Sequence, residues 1–331
     1  MESIAAKNFP QTPVESRAEL ERAYEFCRQI TKKHAKSFYF SARFLKKEKR
    51  QPIYALYALC RLVDDEVDAA EVGSEREAIA AVENWKRKLD EIYQNAECGA
   101  RSADFHNEQR TTNNEQAKVL LAWREMLKKY RIRQELPLEL MRGVVQDTHV
   151  KRYESWRELY VYCFRVASTV GLMSSEIFGY EKPETLEYAE ALGIAMQLTN
   201  ILRDVREDAA MNRIYLPQED LRKFDVSEEQ IFAGRVDDNF IALMRFEIER
   251  ARRYYRKAEL GIPLLEKDAR FCVLLAARIY AGILNEIERQ NYDVFAARAH
   301  TTKFQKIRAI PGIWREARRV RPSIQNSAKS R

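Results

Sequence analysis

The sequence predicts an all-α chain: one domain of packed helices around a central cavity. Its 331 residues include only 10 Gly and 9 Pro, while the strong helix formers Ala, Leu, Glu, Lys and Arg are abundant. Two segments are apolar on nearly every side yet carry acids at helical spacing. Nothing reads as a regular series of strands.

Helices are expected near 17–33, 48–70, 74–94, 115–130, 136–149, 155–178, 183–209, 237–260 and 267–290. The second contains Ile53-Tyr-Ala-Leu-Tyr-Ala-Leu-Cys60, apolar all round, so it is a buried helix rather than an amphipathic surface one. Residues 95–114, with Cys-Gly-Ala-Arg-Ser and Thr-Thr-Asn-Asn, form the one long polar interruption and read as a loop inserted within a single domain. Inside 155–178, the small residues of Val166-Ala-Ser-Thr-Val-Gly171 suit close helix packing at Ala167 and Gly171. Leu192–Leu202 is nearly as apolar as the second helix. The segment Met211–Gln218 follows as a loop in which Arg213 and Tyr215 are placed to fold over a bound ligand and exclude water. The last predicted helix holds the longest apolar run, Phe271–Leu284, which Arg278 breaks and which falls short of the roughly 18 residues of a membrane span. Residues 1–16 are read as a flexible N-terminus, 17–305 as the helical domain and 306–331 as a basic tail.

The net charge of +7 resides in that tail: from Lys306 onward eight Lys or Arg face the single Glu316, a surplus of seven, which leaves the rest formally neutral. A neutral body excludes a general polyanion binder, and no base-reading motif accompanies the tail, so no nucleic acid is expected. The tail reads first as a solvated, disordered terminus and second as a contact for anionic lipid. Five cysteines, with no Cys-x-x-Cys, suit a reducing cytoplasm. The first ten residues show no charged region followed by an apolar core, so no signal peptide is expected.

The chemistry is carried by two acidic pentads, Asp64-Asp-Glu-Val-Asp68 and Asp204-Val-Arg-Glu-Asp208. At about 100° per residue, Tyr57, Arg61, Asp64 and Asp68 share a stripe of roughly 60°, and Gln197, Asn200, Asp204 and Asp208 one of roughly 80°. The offsets repeat, with an arginine beside each set of acids. Carboxylates so close cannot all ionise in a dry site without a cation, so a buried cluster implies a bound metal or raised pKa values. Oxygen-only donors without His or Cys favour magnesium, with manganese as a substitute, bridged to substrate phosphates. Arg61, Arg203 and Arg213 suit those phosphates as permanently charged forks.

At these residues the chain resembles the squalene and phytoene synthases, which join two prenyl diphosphates head to head. The resemblance runs from His34-Ala-Lys-Ser37-Phe38 through the first pentad to Tyr162-Cys-Phe-Arg-Val166-Ala167-Ser168-Thr-Val-Gly171. It continues in Gln197-Leu-Thr-Asn200-Ile-Leu-Arg203-Asp204 and Arg213-Ile-Tyr215-Leu-Pro217, and closes with Ala277-Arg-Ile-Tyr280. It implies an isoprenoid-synthase-type bundle in which Asp64, Asp68, Asn200, Asp204 and Asp208 hold the metal. By the same likeness His34, Ser37, Arg61, Gln197, Arg203, Arg213 and Tyr215 bind diphosphate. It implies catalytic weight for Tyr57, Arg61, Tyr162, Arg203 and Tyr280, and a prenyl tunnel walled by Phe38, Val166, Ala167, Gly171 and Leu172. Ser168 stands where many members have glycine, which is expected to narrow the tunnel, and Met173 and Phe178 are further candidates for its wall.

The reaction implied is ionisation of one allylic diphosphate, attack by the double bond of the second, and proton loss to a cyclopropane. The preferred product is presqualene diphosphate from two farnesyl diphosphates, as in bacterial hopanoid pathways. The alternatives are phytoene from two geranylgeranyl diphosphates, and squalene or dehydrosqualene. NADPH is left open, the expectation being that it is not required. Asp64-Asp65-x-x-Asp68 also fits head-to-tail prenyltransferases and terpene cyclases, but Asn200-x-x-x-Asp204-x-x-x-Asp208 fits neither. A non-enzymatic assembly factor on the same fold is the remaining alternative; such relatives lose the acids that this chain retains. The protein is expected to be cytoplasmic, in peripheral contact with the inner face of the membrane, and a monomer or weak dimer.

Overall fold

Glutamate, lysine and alanine-rich segments become helices wherever one face finds an apolar partner, and here nearly all of them do. The computed structural model describes residues 14–71, 75–97 and 115–319. In chain order these form α1 (Val14–His34), α2 (Lys36–Ala42), α3 (Lys47–Glu71), α4 (Glu75–Glu97), α5 (Glu115–Leu127) and α6 (Glu135–His149). Then come α7 (Trp156–Cys163), a π-helical turn (Phe164–Ser168), α8 (Thr169–Phe178), α9 (Thr185–Arg203) and α10 (Val205–Ala210). The chain continues as α11 (Gln218–Lys223), α12 (Glu228–Phe232), α13 (Asp238–Glu259), a 3-10 turn (Ile262–Leu264), α14 (Lys267–Arg289) and α15 (Lys303–Arg319). Among the described residues the only β pairings are the isolated bridges Arg152–Ile214 and Tyr180–Leu265.

Two apolar clusters build the interior. One gathers α1, α3, α4, α5, α6 and α8 around Trp85, Trp123, Leu56 and Leu59. The other packs α9 against α13 and takes in α7 and the chain around Ile214–Leu216, with Phe240, Leu198 and Tyr153 inside. Helix starts are fixed locally: Ser155 accepts a hydrogen bond from the Glu158 amide and Asp237 from the Phe240 amide, and these caps set the beginnings of α7 and α13.

Several boundaries differ from the sequence reading. The stretch 183–209 is not one helix: Asp204 has φ −104° and ψ 15°, which ends α9 and starts α10. The stretch 155–178 contains the π-helical turn, a feature that recurs at functional sites. The basic tail is corrected most: residues 306–319 are helical, part of α15. Ile310-Pro311-Gly312 reads as a breaker, but Ile313 is 6% exposed and Ala309, Ile310 and Ala317 rest on the core, so apolar spacing wins over the local signal. Glu316 ties this helix to Arg278 of α14 at 2.6 Å. The short helices α2, α11 and α12 were not expected. The inserted loop reduces to the end of α4 over 95–97, its remainder lying outside the described residues, as do residues 1–13 of the expected flexible N-terminus and 320–331 of the tail. No helix among the described residues is long and apolar enough to cross a membrane.

Candidate active site

Between the two apolar clusters lies a cavity of about 1770 Å³. One end is polar. There α1 delivers His34, α2 Ser37, α3 Tyr57 and Arg61, α9 Gln197, Asn200 and Arg203, α14 Tyr280, and the segment after it Arg298. The rest is apolar or small, walled by Phe38 and Phe40 of α2, Val166 and Ala167 of the π-helical turn, Gly171 and Phe178 of α8, and Cys272 of α14. Two glycines allow this shape. A Cβ on Gly193 would meet the Ser168 backbone nitrogen at 2.6 Å, and one on Gly171 would meet the Ala189 carbonyl oxygen at 2.8 Å, so α9 crosses the turn at backbone distance.

The acids flank the polar end rather than fill it. Arg61 Nη1 donates to Asp64 at 3.0 Å and its other terminal nitrogen to Asp65. Asp204 accepts from Arg203 Nε at 2.7 Å and from Arg298 Nε at 2.7 Å. Burial opposes its ionisation, yet those two guanidinium groups hold Asp204 below the usual carboxylate range. The opposite holds for its neighbours. Burial and then the charge of Asp68 push Asp64 up to about 6, and burial and then Asp204 push Asp208 up to about 7. Asp147 of α6 contributes to both shifts, so the two acidic motifs look onto one further carboxylate. Burial and the adjacent charge of Arg61 lower the His34 pKa.

Among the described residues, no three Asp, Glu, His or Cys side chains already gather closely enough to hold a cation. The donors that the two motifs offer are all oxygens, which suits a hard divalent ion whose shell is completed by oxygens of a ligand. That is the habit of magnesium, which keeps waters and phosphate oxygens in its shell.

The expected residues separate into three sets. Those on the cavity wall are His34, Ser37, Phe38, Tyr57, Arg61, Val166, Ala167, Gly171, Gln197, Asn200, Arg203 and Tyr280. Leu172, Ser168 and Met173 are not on it. Ser168 is fully buried and donates to the Glu190 carbonyl at 2.9 Å, so its hydroxyl is engaged in packing α9 rather than in narrowing a tunnel. Leu172 is 6% exposed within the core, and Met173 is fully buried. Tyr162, Arg213 and Tyr215 lie behind the acids. Arg213 is 9% exposed and Tyr215 7%, already docked on α6.

Arg298, Lys306 and Asp147 were missed. Lys306 Nζ donates to Ser37 Oγ at 2.8 Å, and burial together with the charge of Lys36 lowers its pKa, two cations held close at the rim. Arg298 sits in a stretch without apolar periodicity, Lys306 is one cation in a basic segment, and Asp147 is a single acid near a helix end; none had a local pattern to flag it.

Comparison with known proteins agrees with this geometry. Residues 31–305 match the Squalene/phytoene synthase family. The 15-cis-phytoene synthase of Synechococcus elongatus is 38% identical over 314 residues, covering 91% of this chain and 96% of that one. That of Synechocystis sp. is 38% identical over 312 residues, covering 91% and 87%. Among solved structures, a dehydrosqualene synthase in complex with a ligand superposes with a TM-score of 0.78 at 30% identity, covering 92% of this chain and 99% of that one. Squalene synthase HpnC from Alicyclobacillus acidocaldarius superposes with a TM-score of 0.70 at 25% identity, covering 85% and 97%.

Proposed function

Because the chain belongs to the squalene/phytoene synthase family, we propose that it condenses two geranylgeranyl diphosphates head to head to give phytoene. The observation that carries the chain length is the 38% identity to cyanobacterial phytoene synthases across 91% of this chain. This displaces the farnesyl preference inferred from the sequence. The farnesyl reading survives as the second one because the dehydrosqualene synthase superposes over 92% of this chain.

Asp64, Asp68, Asn200, Asp204 and Asp208 would hold magnesium, which would supply charge neutralisation for the diphosphates. The chain's own residues do the rest. Arg61 and Arg203, with Arg298, His34 and Lys306 on the same rim, bind diphosphate oxygens and favour departure of the leaving group. The C–O bond of one substrate breaks, and its electrons leave with diphosphate. The double bond of the second attacks the resulting allylic cation, and a proton is lost as the cyclopropane closes. A second ionisation, rearrangement and proton loss give a triene with no reductant, so NADPH is not needed. The rings of Tyr57 and Phe38, 5.7 Å apart, and of Tyr280 face the cavity where cationic carbon forms. The apolar wall of α2, the π-helical turn, α8 and α14 houses the chains and excludes water.

Peripheral contact with lipid belongs to the same reading. On the cavity rim α15 sets the exposed Phe304 and Ile307 beside Lys303 and Lys306, an apolar edge with cationic neighbours at the point where an apolar product would leave. The test is to incubate the purified protein with geranylgeranyl or farnesyl diphosphate, magnesium, and either NADPH or none. Products are then identified by mass spectrometry. Phytoene from the longer substrate is expected; only C30 products would return the assignment to the farnesyl reading.

A further inference from the structure

Two residues before the end of α6, Asp147 stands at a junction that the scheme above does not use. Its Oδ1 accepts the Tyr215 hydroxyl at 2.5 Å, and its Oδ2 faces Arg213 Nη1 at 3.6 Å. The Tyr162 hydroxyl bears on the same carboxylate. The rings of Tyr153, Tyr162 and Tyr215 pack together with centroids 5.3 to 5.9 Å apart. The turn that carries Asp147 is itself fixed, since Gln146 donates to the Tyr153 hydroxyl at 3.3 Å and accepts from Arg165 at 2.7 Å. Across the junction lie Asp64 and Asp208, both of which feel the Asp147 charge.

A third carboxylate facing two acids adds repulsion, and burial raises its pKa against the opposing Tyr215 and Arg213, so stability alone does not explain it. What it gains is a grip on the segment after α10. Arg213 donates its backbone amide to the Asp208 carbonyl at 2.8 Å, and the Ile214 amide bonds to the Lys151 carbonyl at 3.0 Å. The backbone that carries Arg213 and Tyr215 is therefore bonded directly to that of Asp208.

We propose that Asp147 is a positioning residue: through Tyr215 and Arg213 it locks the 211–217 segment against α6 and thereby sets Asp208 for the reaction. Asp147 is not one of the residues of the cavity wall. The inference rests on the proposed prenyl condensation for its catalytic half, and its anchoring half is measurable without turnover.

Four proteins suffice: wild type, Asp147→Asn, Tyr215→Phe and the double variant, each checked for an unchanged thermal transition. With whichever prenyl diphosphate the wild type consumes, Asp147→Asn should lower kcat by about 10²-fold, the scale of a displacement of roughly 1 Å in a site, with KM within about threefold. The double variant should be no slower than Asp147→Asn, because both changes cut one connection. In ligand-free protein, trypsin cleavage after Arg213, followed by fragment mass, should accelerate about tenfold in Asp147→Asn. A kcat within about twofold of wild type, multiplying losses in the double variant, or unaltered cleavage would each overturn the proposal. Should Asp147→Asn fail to fold, Tyr215→Phe alone must show both the kcat loss and faster cleavage. If the wild type consumes neither diphosphate, the proposed function falls, and the anchor stands or falls on cleavage alone.

Discussion

Arg298 reaches Asp204 across 94 residues of chain and grips both of its oxygens, Nε to Oδ1 at 2.7 Å and Nη2 to Oδ2 at 2.9 Å. Arg203 approaches the same carboxylate from its own helix end. Asp204 is thus neutralised by two guanidinium groups, and a divalent ion held there under the proposed function would compete with that pairing.

Arg298→Ala should therefore cost little stability, within about 1 kcal/mol, because the Arg298 side chain is 54% exposed. Its effect on kcat/KM should be about 10²-fold, the range of losing one electrostatic group in a site. Arg298→Lys should restore only part, since an ammonium cannot span both oxygens. Full activity of Arg298→Lys in steady-state kinetics would contradict the two-oxygen role.

The acids also predict a pH dependence with a definite sign. Asp208 is raised to about 7 and Asp64 to about 6, above the ordinary value of 3.8 in the unfolded chain. Between those limits the folded state holds more protons than the unfolded state, so this contribution to stability falls as pH rises. Asp64 keeps 44% side-chain exposure, so water screens its share and Asp208 dominates. Relative to wild type, Asp208→Asn should become progressively more stable from about pH 4 to about pH 7 and level off above. With magnesium and inorganic pyrophosphate the order should reverse at pH 8, because ionised carboxylates are what the metal requires. A wild-type melting temperature that gains equally from this mixture at pH 5.5 and pH 8 would count against the assignment.

How much of this was readable in advance follows from the range of each signal. The apolar helices α3 and α9 and their acids repeat at helical spacing, so Tyr57, Arg61, Gln197, Asn200 and Arg203 reach the cavity wall as a periodic reading expects. Residues whose role depends on a distant partner left no such trace. Asp147 meets Tyr215 across 68 positions and Lys306 meets Ser37 across 269. Ser168 illustrates the converse: a polar residue in a small-residue run was assigned to the cavity, whereas its hydroxyl turns to the Glu190 carbonyl. Side-chain direction in the π-helical turn departs from the 100° period, so helical spacing gives no register there. In α15 the long-range burial of Ile313 overrules Pro311.

Cavity length is open to a steric test at Cys272. This α14 residue is on the wall and 5% exposed, so Cys272→Phe should project a ring into space that the substrate tails would use. Each methylene expelled from an apolar site forfeits about 0.8 kcal/mol. The ratio of kcat/KM for geranylgeranyl over farnesyl diphosphate should therefore fall at least about tenfold, with a stability loss of about 1–3 kcal/mol from overpacking. Competition assays with mixed substrates measure the ratio directly; an unchanged ratio would mean that the tails lie elsewhere.

A final expectation concerns a charge cluster outside the cavity. Arg250 Nη1 donates to Asp220 at 2.8 Å and to Glu247 at 2.6 Å, with side-chain exposures of 9%, 6% and 1%. Its guanidinium also lies over the rings of Trp156 at 4.7 Å and Phe246 at 4.8 Å. Burial pushes Glu247 up to about 8, with Arg250 opposing and Asp220 reinforcing the shift. Arg250→Ala would strand two buried acidic side chains and should cost about 3–5 kcal/mol in urea unfolding, less at pH 6 than at pH 8, where more of the Glu247 charge must be borne. Glu247→Gln should be close to neutral near pH 5. It should gain on wild type as pH rises toward 8, because the wild-type acid is protonated in the fold while its unfolded counterpart is ionised. In neither variant should kcat change at temperatures well below melting, since α11 and α13 hold this cluster away from the polar end of the cavity. A kcat loss in Glu247→Gln without a stability loss would place the cluster in the reaction instead of the scaffold.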